Sequence, residues 1–313
     1  MKRAFLFPGQ GAQIIGMGKD IYEKYEVARK IFDEASEISG IDIKEICFKG
    51  MQEELNKTQN TQIAMLVTSL AILEVLKENG IKADIATGLS LGEYGALIYS
   101  GILNFKDGIK LIKKRGLYMG TKLPNEKYAM AAVIALDSKK IEEICKEFCE
   151  NGKFVVPANY NCSTQTVVSG EESAIEEIIE KLKEAGAKRV IPLKTSGPFH
   201  TNKLEEAKLA YEKELENVIF NKIDDNNIKV IKNIDGTYYS DDDNIKEILA
   251  KHIISSVRFD KAIELMKQEN VDEYIEIGPG KILTGFIKKD NKEANVFNIS
   301  DAQSLEKYLN KGE

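Results

Sequence analysis

The sequence predicts an α/β protein: a mainly parallel sheet covered by helices, with a smaller module inserted into it. Three observations carry that prediction. Apolar strand-like runs alternate with helical segments in residues 1–123 and again in 193–313, the rhythm of a parallel sheet covered on both faces. Residues 124–192 change to strand, helix, two short strands, helix, strand, the order of a split βαβ, ferredoxin-like unit. The length of 313 residues exceeds the roughly 100–200 residues usual for one domain.

The opening KRAFLF reads as a buried strand stopped by Pro8-Gly9-Gln10-Gly11. Residues 61–79 place Ile63, Leu66, Val67, Leu70, Leu73 and Leu76 on a helical stripe that ends at Asn79-Gly80. A short strand around Asp84–Thr87 then meets the turn GLSLG. A helix follows to Ser100-Gly101, and another runs from about Lys106 to Met119. In the inserted module YAMAAVIAL is a strand and Ser138–Glu150 an amphipathic helix. FVVPANY and QTVVSG are strands joined by NCST. Ser173 with Glu176 offers a capping box for a helix closed by Gly186, and KRVIPL is the last strand. The return alternates helix Lys203–Asn217, strand IKVIKNI, helices Asn244–Ser255 and Phe259–Gln268, and strand EYIEIGPG. The lysine- and asparagine-rich tail after Lys289 gives no pattern.

Hydrophobic residues make up 43% of the chain and charged ones 30%, with a net charge of −6. That balance fits a soluble globular protein and disfavours nucleic acid, which calls for a basic face. Cys47, Cys145, Cys149 and Cys162 lack metal-site spacing and read as core residues of a reduced compartment. MKRAFLFPGQ has too short an apolar run for a secretory signal, and no stretch reads as membrane-spanning. A cytoplasmic protein is expected.

The chemistry centres on TGLSLGEYGALIYSG, residues 87–101, where Ser90 sits in G-x-S-x-G between a strand and a helix. A sharp strand-to-helix turn can expose a serine hydroxyl, and free N–H groups at the helix start favour a developing oxyanion. Two glycines also suit a plain tight connection, so the motif alone leaves both readings open. A nucleophilic serine needs a base, and only two histidines exist. His200 lies in the turn-rich TSGPFHT. His252 lies beside apolar residues on a helix and reads as structural, which makes His200 the candidate base. FPGQG, residues 7–11, can offer the Gln10 N–H as an oxyanion donor, though an ordinary β-turn has the same composition. In Lys113-Lys114-Arg115 the lysines read as a solvated face, whereas the planar guanidinium of Arg115 suits two-pronged capture of a carboxylate.

FPGQGAQ (7–13), GLSLGEY (88–94), RGLYM (115–119), NYNCSTQTVVSG (159–170), SGPFHT (196–201) and IEIGPGKILTG (275–285) occur in order along essentially the whole chain. In this the sequence resembles the malonyl-CoA:acyl carrier protein transacylases. The resemblance implies an α/β-hydrolase-like large domain (1–123 and 193–313) and an inserted ferredoxin-like domain (124–192). It implies Ser90 as the acylated nucleophile, His200 as its base, and the backbone N–H groups of Gln10 and Leu91 as the oxyanion hole. It further implies that Arg115 pairs with the malonyl carboxylate and that Phe199 belongs to a malonyl-selective pattern. The partners implied are malonyl-CoA and acyl carrier protein, with phosphopantetheine carried by the latter and no metal or other cofactor.

Three positions depart from the family pattern. Leu89 stands where histidine is usual, and Cys162-Ser163 replaces serine-proline. His252 replaces glutamine at the position whose backbone carbonyl orients the catalytic histidine. Two rival readings remain, a serine hydrolase of thioesterase type and a silent carrier-binding module; Arg115 argues against the first, retention of Ser90 and His200 against the second. Carrier proteins are typically acidic, so Lys113, Lys114, Lys188 and Arg189 are candidates for steering them.

Overall fold

The computed structural model describes residues 1–195, 197–223 and 228–311; Ser196 of the SGPFHT motif lies outside them. Five strands form a wholly parallel sheet: β1 (Arg3–Phe7), β2 (Ile85–Gly88), β7 (Lys229–Val230), β9 (Glu273–Ile277) and β10 (Val296–Ile299), in the order β10-β9-β1-β2-β7. The strands are apolar because both faces are covered: Ala4 through Phe7 and all of β2 are buried. In this topology the loops after β1, β2, β7 and β9 emerge at one edge, the carboxyl end where parallel sheets place their ligands.

The helix α4 (Thr58–Glu78) is the centre of the core on one side, packed against α2 (Glu26–Ser39), α5 (Gly92–Tyr99) and α6 (Phe105–Thr121). It is buried nearly all round, not only along the expected stripe. By length and composition it could cross a membrane, contrary to the sequence reading, but 83% of its apolar window lies inside the protein. A helix enclosed by partners loses the polar face that periodicity detects.

The second sheet comprises β3 (Tyr128–Ile134), β4 (Val155–Cys162), β5 (Gln165–Glu171), β6 (Arg189–Leu193) and β8 (Val257–Arg258), ordered β6-β3-β5-β4-β8. Its first four strands pair antiparallel. Their order is that of a ferredoxin-like unit, as the rhythm of residues 124–192 predicts. One face packs on α7 (Ser138–Glu150) and α8 (Glu172–Glu184) through Val133, Val168, Ile141, Ile175 and Ile178. The other, carrying Met130, Ala132 and Val167, faces the parallel sheet's carboxyl edge. β8 comes from the returning chain and pairs parallel with β4, Asn159 opposite Val257 and Tyr160 opposite Arg258. The second sheet therefore reaches beyond residues 124–192.

Several local expectations change. The capping box at Ser173 is absent: α8 starts at Glu172, straight from β5, with Glu171 at its N-cap and no side-chain cap. That puts Ser173 inside the first turn, past the position where a hydroxyl caps. After α12 (Ile282–Asp290), the tail beyond Lys289 forms edge strand β10 and α13 (Ala302–Leu309), the last held by a capping box of Asp301 and Ser304. IKVIKNI is a strand only at β7 and then turns. Cys149 is exposed, unlike the other three cysteines.

The turn between β2 and α5 is pressed against β1. A Cβ on Gly92 would lie 2.0 Å from the Phe7 carbonyl oxygen, and one on Gly88 2.2 Å from the carbonyl carbon of Gly92. Neither neighbour is a side chain that can swing away. Gly92→Ala is expected to destabilise the protein by about 3 kcal/mol or more, because overpacking against backbone outweighs the ~1 kcal/mol that alanine gains in a helix. Denaturant unfolding checks this; a variant as stable as the parent would show that β1 can yield.

Candidate active site

Ser90 sits at the carboxyl end of β2, before the first turn of α5. Its φ of 55° is left-handed, which costs of order 1–3 kcal/mol for a residue with a side chain and persists only where the surroundings impose it. Asn233, in the turn after β7, imposes it: Ser90 N–H donates to Asn233 Oδ1 at 2.8 Å, and Asn233 Nδ2 donates to the Gly88 carbonyl at 2.8 Å. This amide holds the turn on both sides of the serine.

The sequence separates Ser90 and His200 by 110 residues; the fold sets Ser90 Oγ 2.8 Å from His200 Nε2. His200 has a φ of 60°, in a turn closed by Thr201 Oγ1 donating to the Pro198 carbonyl at 2.8 Å. Its Nδ1 lies 3.0 Å from the backbone carbonyl of His252, at the end of α10 (Ile245–His252). A carbonyl only accepts, so Nδ1 carries the proton and Nε2 presents a lone pair to Ser90. His200 is buried, and burial, the neighbouring His252 and the Arg115 guanidinium hold its pKa well below 6.5. The imidazole is thus neutral near neutral pH and able to accept a proton.

Arg115, on α6, is fully buried. Nη2 donates to Ser90 Oγ at 3.1 Å and Nη1 to Gln62 Oε1 at 2.8 Å, while Nε has no partner. The guanidinium carbon lies 5.7 Å from the Tyr94 ring centre. No carboxylate pairs with Arg115 among the described residues. Burying a cation without a counter-ion is costly, so the pocket beside Ser90 favours an anionic group.

The serine opens into a cavity of about 600 Å³ between the two sheets. Gln10, Gln62, Leu89, Met119, Phe199 and Phe286 line its large-sheet side; Met130, Ala132, Asn159, Asn161 and Val167 line the second-sheet side. Phe199 is buried beside His200. The N–H groups of Gln10 and Leu91, at the ends of two adjacent parallel strands, make no hydrogen bond among the described residues. Two donors left free beside a nucleophile suit an oxyanion.

Sequence reasoning missed Asn233, Gln62 and Glu93. Asn233 falls inside the stretch read as a strand, where a turn signal (Asn233, Asp235, Gly236) was present. Gln62 and Glu93 looked like ordinary helix residues. Of the departing positions, Leu89 lines the cavity, whereas Ser163 is tied by its N–H to Asp290 Oδ1 at 3.1 Å. The buried His252 side chain meets Glu93 and stacks on the His200 ring. The four cations considered for steering do not line the cavity: Lys113 Nζ donates to the Ser39 carbonyl at 2.6 Å, Lys114 Nζ meets Glu214 Oε1 at 2.9 Å, and Lys188 and Arg189 are exposed at the start of β6.

A strained serine on a strand-to-helix turn, a neutral histidine and two free N–H groups define an acyl-transfer centre. Residues 4–311 match the acyl transferase domain family, and the chain belongs to that family. It is 43% identical over 305 residues to the malonyl CoA-acyl carrier protein transacylase of Bacillus subtilis (strain 168), covering 97% of this chain and 95% of that one. The crystal structure of malonyl CoA-acyl carrier protein transacylase from Clostridium perfringens is 44% identical with a TM-score of 0.94, covering 99% of this chain and 97% of that one. A third structure, of a type II PKS acyl-carrier protein in complex with its malonyl-transacylase, is 35% identical with a TM-score of 0.93, covering 99% of this chain and 100% of that one.

Because the His200 pKa is depressed, the imidazole stays unprotonated until the pH falls below 6.5. The acid limb of kcat/KM assigned to this histidine is therefore expected below pH 6.5. Stopped-flow acylation across pH 4.5–8 reads it; a limb at or above pH 6.5 would show that burial and the neighbouring charges do not hold the His200 pKa down during turnover.

Proposed function

We propose that the protein transfers the malonyl group of malonyl-CoA to the phosphopantetheine thiol of acyl carrier protein through a malonyl-Ser90 ester. In the first half-reaction His200 Nε2 takes the proton of Ser90 Oγ as the oxygen attacks the thioester carbonyl. The Gln10 and Leu91 N–H groups hold the developing oxyanion. The tetrahedral adduct collapses, the C–S bond breaks, and the CoA thiolate takes the proton from His200. In the second half-reaction His200 accepts the proton of the pantetheine thiol, whose sulfur attacks the ester, and returns it to Ser90 Oγ. The route consumes no water and uses no metal or cofactor beyond the thioester substrates. It makes the protein a cytoplasmic supplier of extender units for fatty-acid synthesis.

The observation that carries this reading is Arg115: a buried guanidinium with no carboxylate partner among the described residues, donating to the atom that becomes acylated. Bidentate binding of a free carboxylate at that place both selects malonyl over neutral acyl groups and orients the thioester carbonyl. Phe199 closes the apolar side of the same space.

Intact-mass analysis after mixing with malonyl-CoA is expected to show one added malonyl group on the parent protein and none on Ser90→Ala. A malonylated Ser90→Ala would place the nucleophile elsewhere. Carrier protein should then remove the group, whereas water alone should not; rapid release into water would mark a thioesterase.

Arg115→Ala leaves the malonyl carboxylate buried without its cation, a loss of about 2–5 kcal/mol. At about 1.36 kcal/mol per decade this lowers kcat/KM for malonyl-CoA by roughly thirtyfold to several thousandfold. Acetyl-CoA has no carboxylate to lose, so its rate is expected to hold or rise. Equal losses for both substrates would make Arg115 a structural residue and remove the support for malonyl selection.

A further inference from the structure

Glu93 is a carboxylate with no access to solvent, directly beneath the serine turn on α5. Its two oxygens meet different partners. Oε1 accepts from the Asn233 N–H at 3.2 Å and from the Tyr239 hydroxyl at 2.8 Å. Asn233 is the residue whose side chain holds the Ser90 N–H and the Gly88 carbonyl. Oε2 lies 2.9 Å from Nδ1 of His252, which is also fully buried. The contact is one of ion-pair distance and not an aligned hydrogen bond: among the described residues neither Oε2 nor either ring nitrogen of His252 has a hydrogen-bond partner. His252 in turn meets His200 twice: its carbonyl stands 3.0 Å from Nδ1, and the two rings stack with centres 5.1 Å apart and planes 28° from parallel.

We propose that Glu93 is a positioning residue that locks nucleophile and base to each other, reaching Ser90 through Asn233 and His200 through the side chain of His252. The inference rests on the Ser90–His200 pair of the proposed function, though not on the identity of the acyl group. A carboxylate buried away from water needs donors on both oxygens. Here the donors to Oε1 and the imidazole at ion-pair distance from Oε2 belong to the two loops that must meet for proton transfer, so one buried carboxylate ties both loops together. A displacement of about 1 Å between such groups can cost about a hundredfold in rate. The His252 imidazole thus has work of its own, distinct from that of its backbone carbonyl.

The test compares His252→Phe with His252→Gln. Both keep the carbonyl, and phenylalanine keeps a ring to stack on His200, but only glutamine offers Glu93 a donor. The rate of Ser90 modification is read by intact mass with malonyl-CoA and, separately, with phenylmethanesulfonyl fluoride. The second reagent needs the serine–histidine pair and no malonyl recognition. His252→Phe is expected to react at least tenfold more slowly than His252→Gln with both reagents, with the KM for malonyl-CoA unchanged. Glu93→Gln turns an amide toward His252 Nδ1–H, donor against donor, and is expected to be slow. The double variant Glu93→Gln/His252→Gln restores an amide pair and should recover at least threefold over Glu93→Gln, a rescue that a merely structural role would not give. Equal rates for His252→Phe and His252→Gln, or no recovery in the double variant, would overturn the proposal; should His252→Phe fail to fold, the rescue decides alone. Sulfonylation without malonylation of the parent would instead count against the proposed function and leave this comparison intact.

Discussion

One contact between backbones sets the rest of the site. Gly92 approaches the Phe7 carbonyl so closely that no side chain fits between them. The serine turn is thereby seated on the end of β1 and cannot slide along it. The loop carrying Gln10 leaves that same strand end, so one free N–H and the nucleophile share a single support. Parallel pairing of Phe7 with Gly88 fixes the register of the two strands, and with it the depth of Ser90 in the cleft. The left-handed φ of Ser90 follows from this seating: the turn has no room to relax, and Asn233 holds it from the other side.

Burial then sorts the charges by kind. His200 and Arg115 both lie out of solvent near the serine hydroxyl, and burial acts on them in opposite senses of use. The histidine can shed its proton and does so, helped by the nearby guanidinium, which disfavours a second positive charge. The arginine cannot deprotonate and so keeps its charge. The same dry environment therefore yields a neutral base and a permanent cation within reach of one oxygen. Proton transfer and anion recognition are separated, and among the described residues no acidic side chain bonds the catalytic histidine.

Much of this was legible in the sequence, and the boundary is physical. Ser90 was readable because tight strand-to-helix turns need glycines at fixed spacing, and His200 because only one of two histidines sits among turn formers. Strands with a clean two-residue alternation and helices with one wet face, such as Ser138–Glu150, were placed to within a residue or two. α4 looked like a striped helix because its small and hydroxylated positions mimic a polar face while being buried. β7 and β8, two residues each, carry no periodicity at all; they exist through their neighbours. β10 hides in a lysine-rich tail because an edge strand needs only one good side. Asn233 and Glu93 were illegible for another reason. Their meaning lies in which loops they bridge, and that is a property of topology, with partners about 140 residues away in the chain.

The short strand β8 has a consequence for how the molecule can be divided. β4 pairs with β5 on one side and β8 on the other, so the returning chain covers what would otherwise be an open edge. Cut out as residues 124–192, the smaller unit would expose the β4 ladder, with its unpaired N–H and C=O groups and the aromatic ring of Tyr160 over which Arg258 now lies at 4.2 Å. Open edges of this kind recruit other strands. The insertion is thus a lodger that leans on its host: the large domain supplies the short strand that covers the β4 edge, and a version of the small domain that keeps this edge covered has to carry that strand with it.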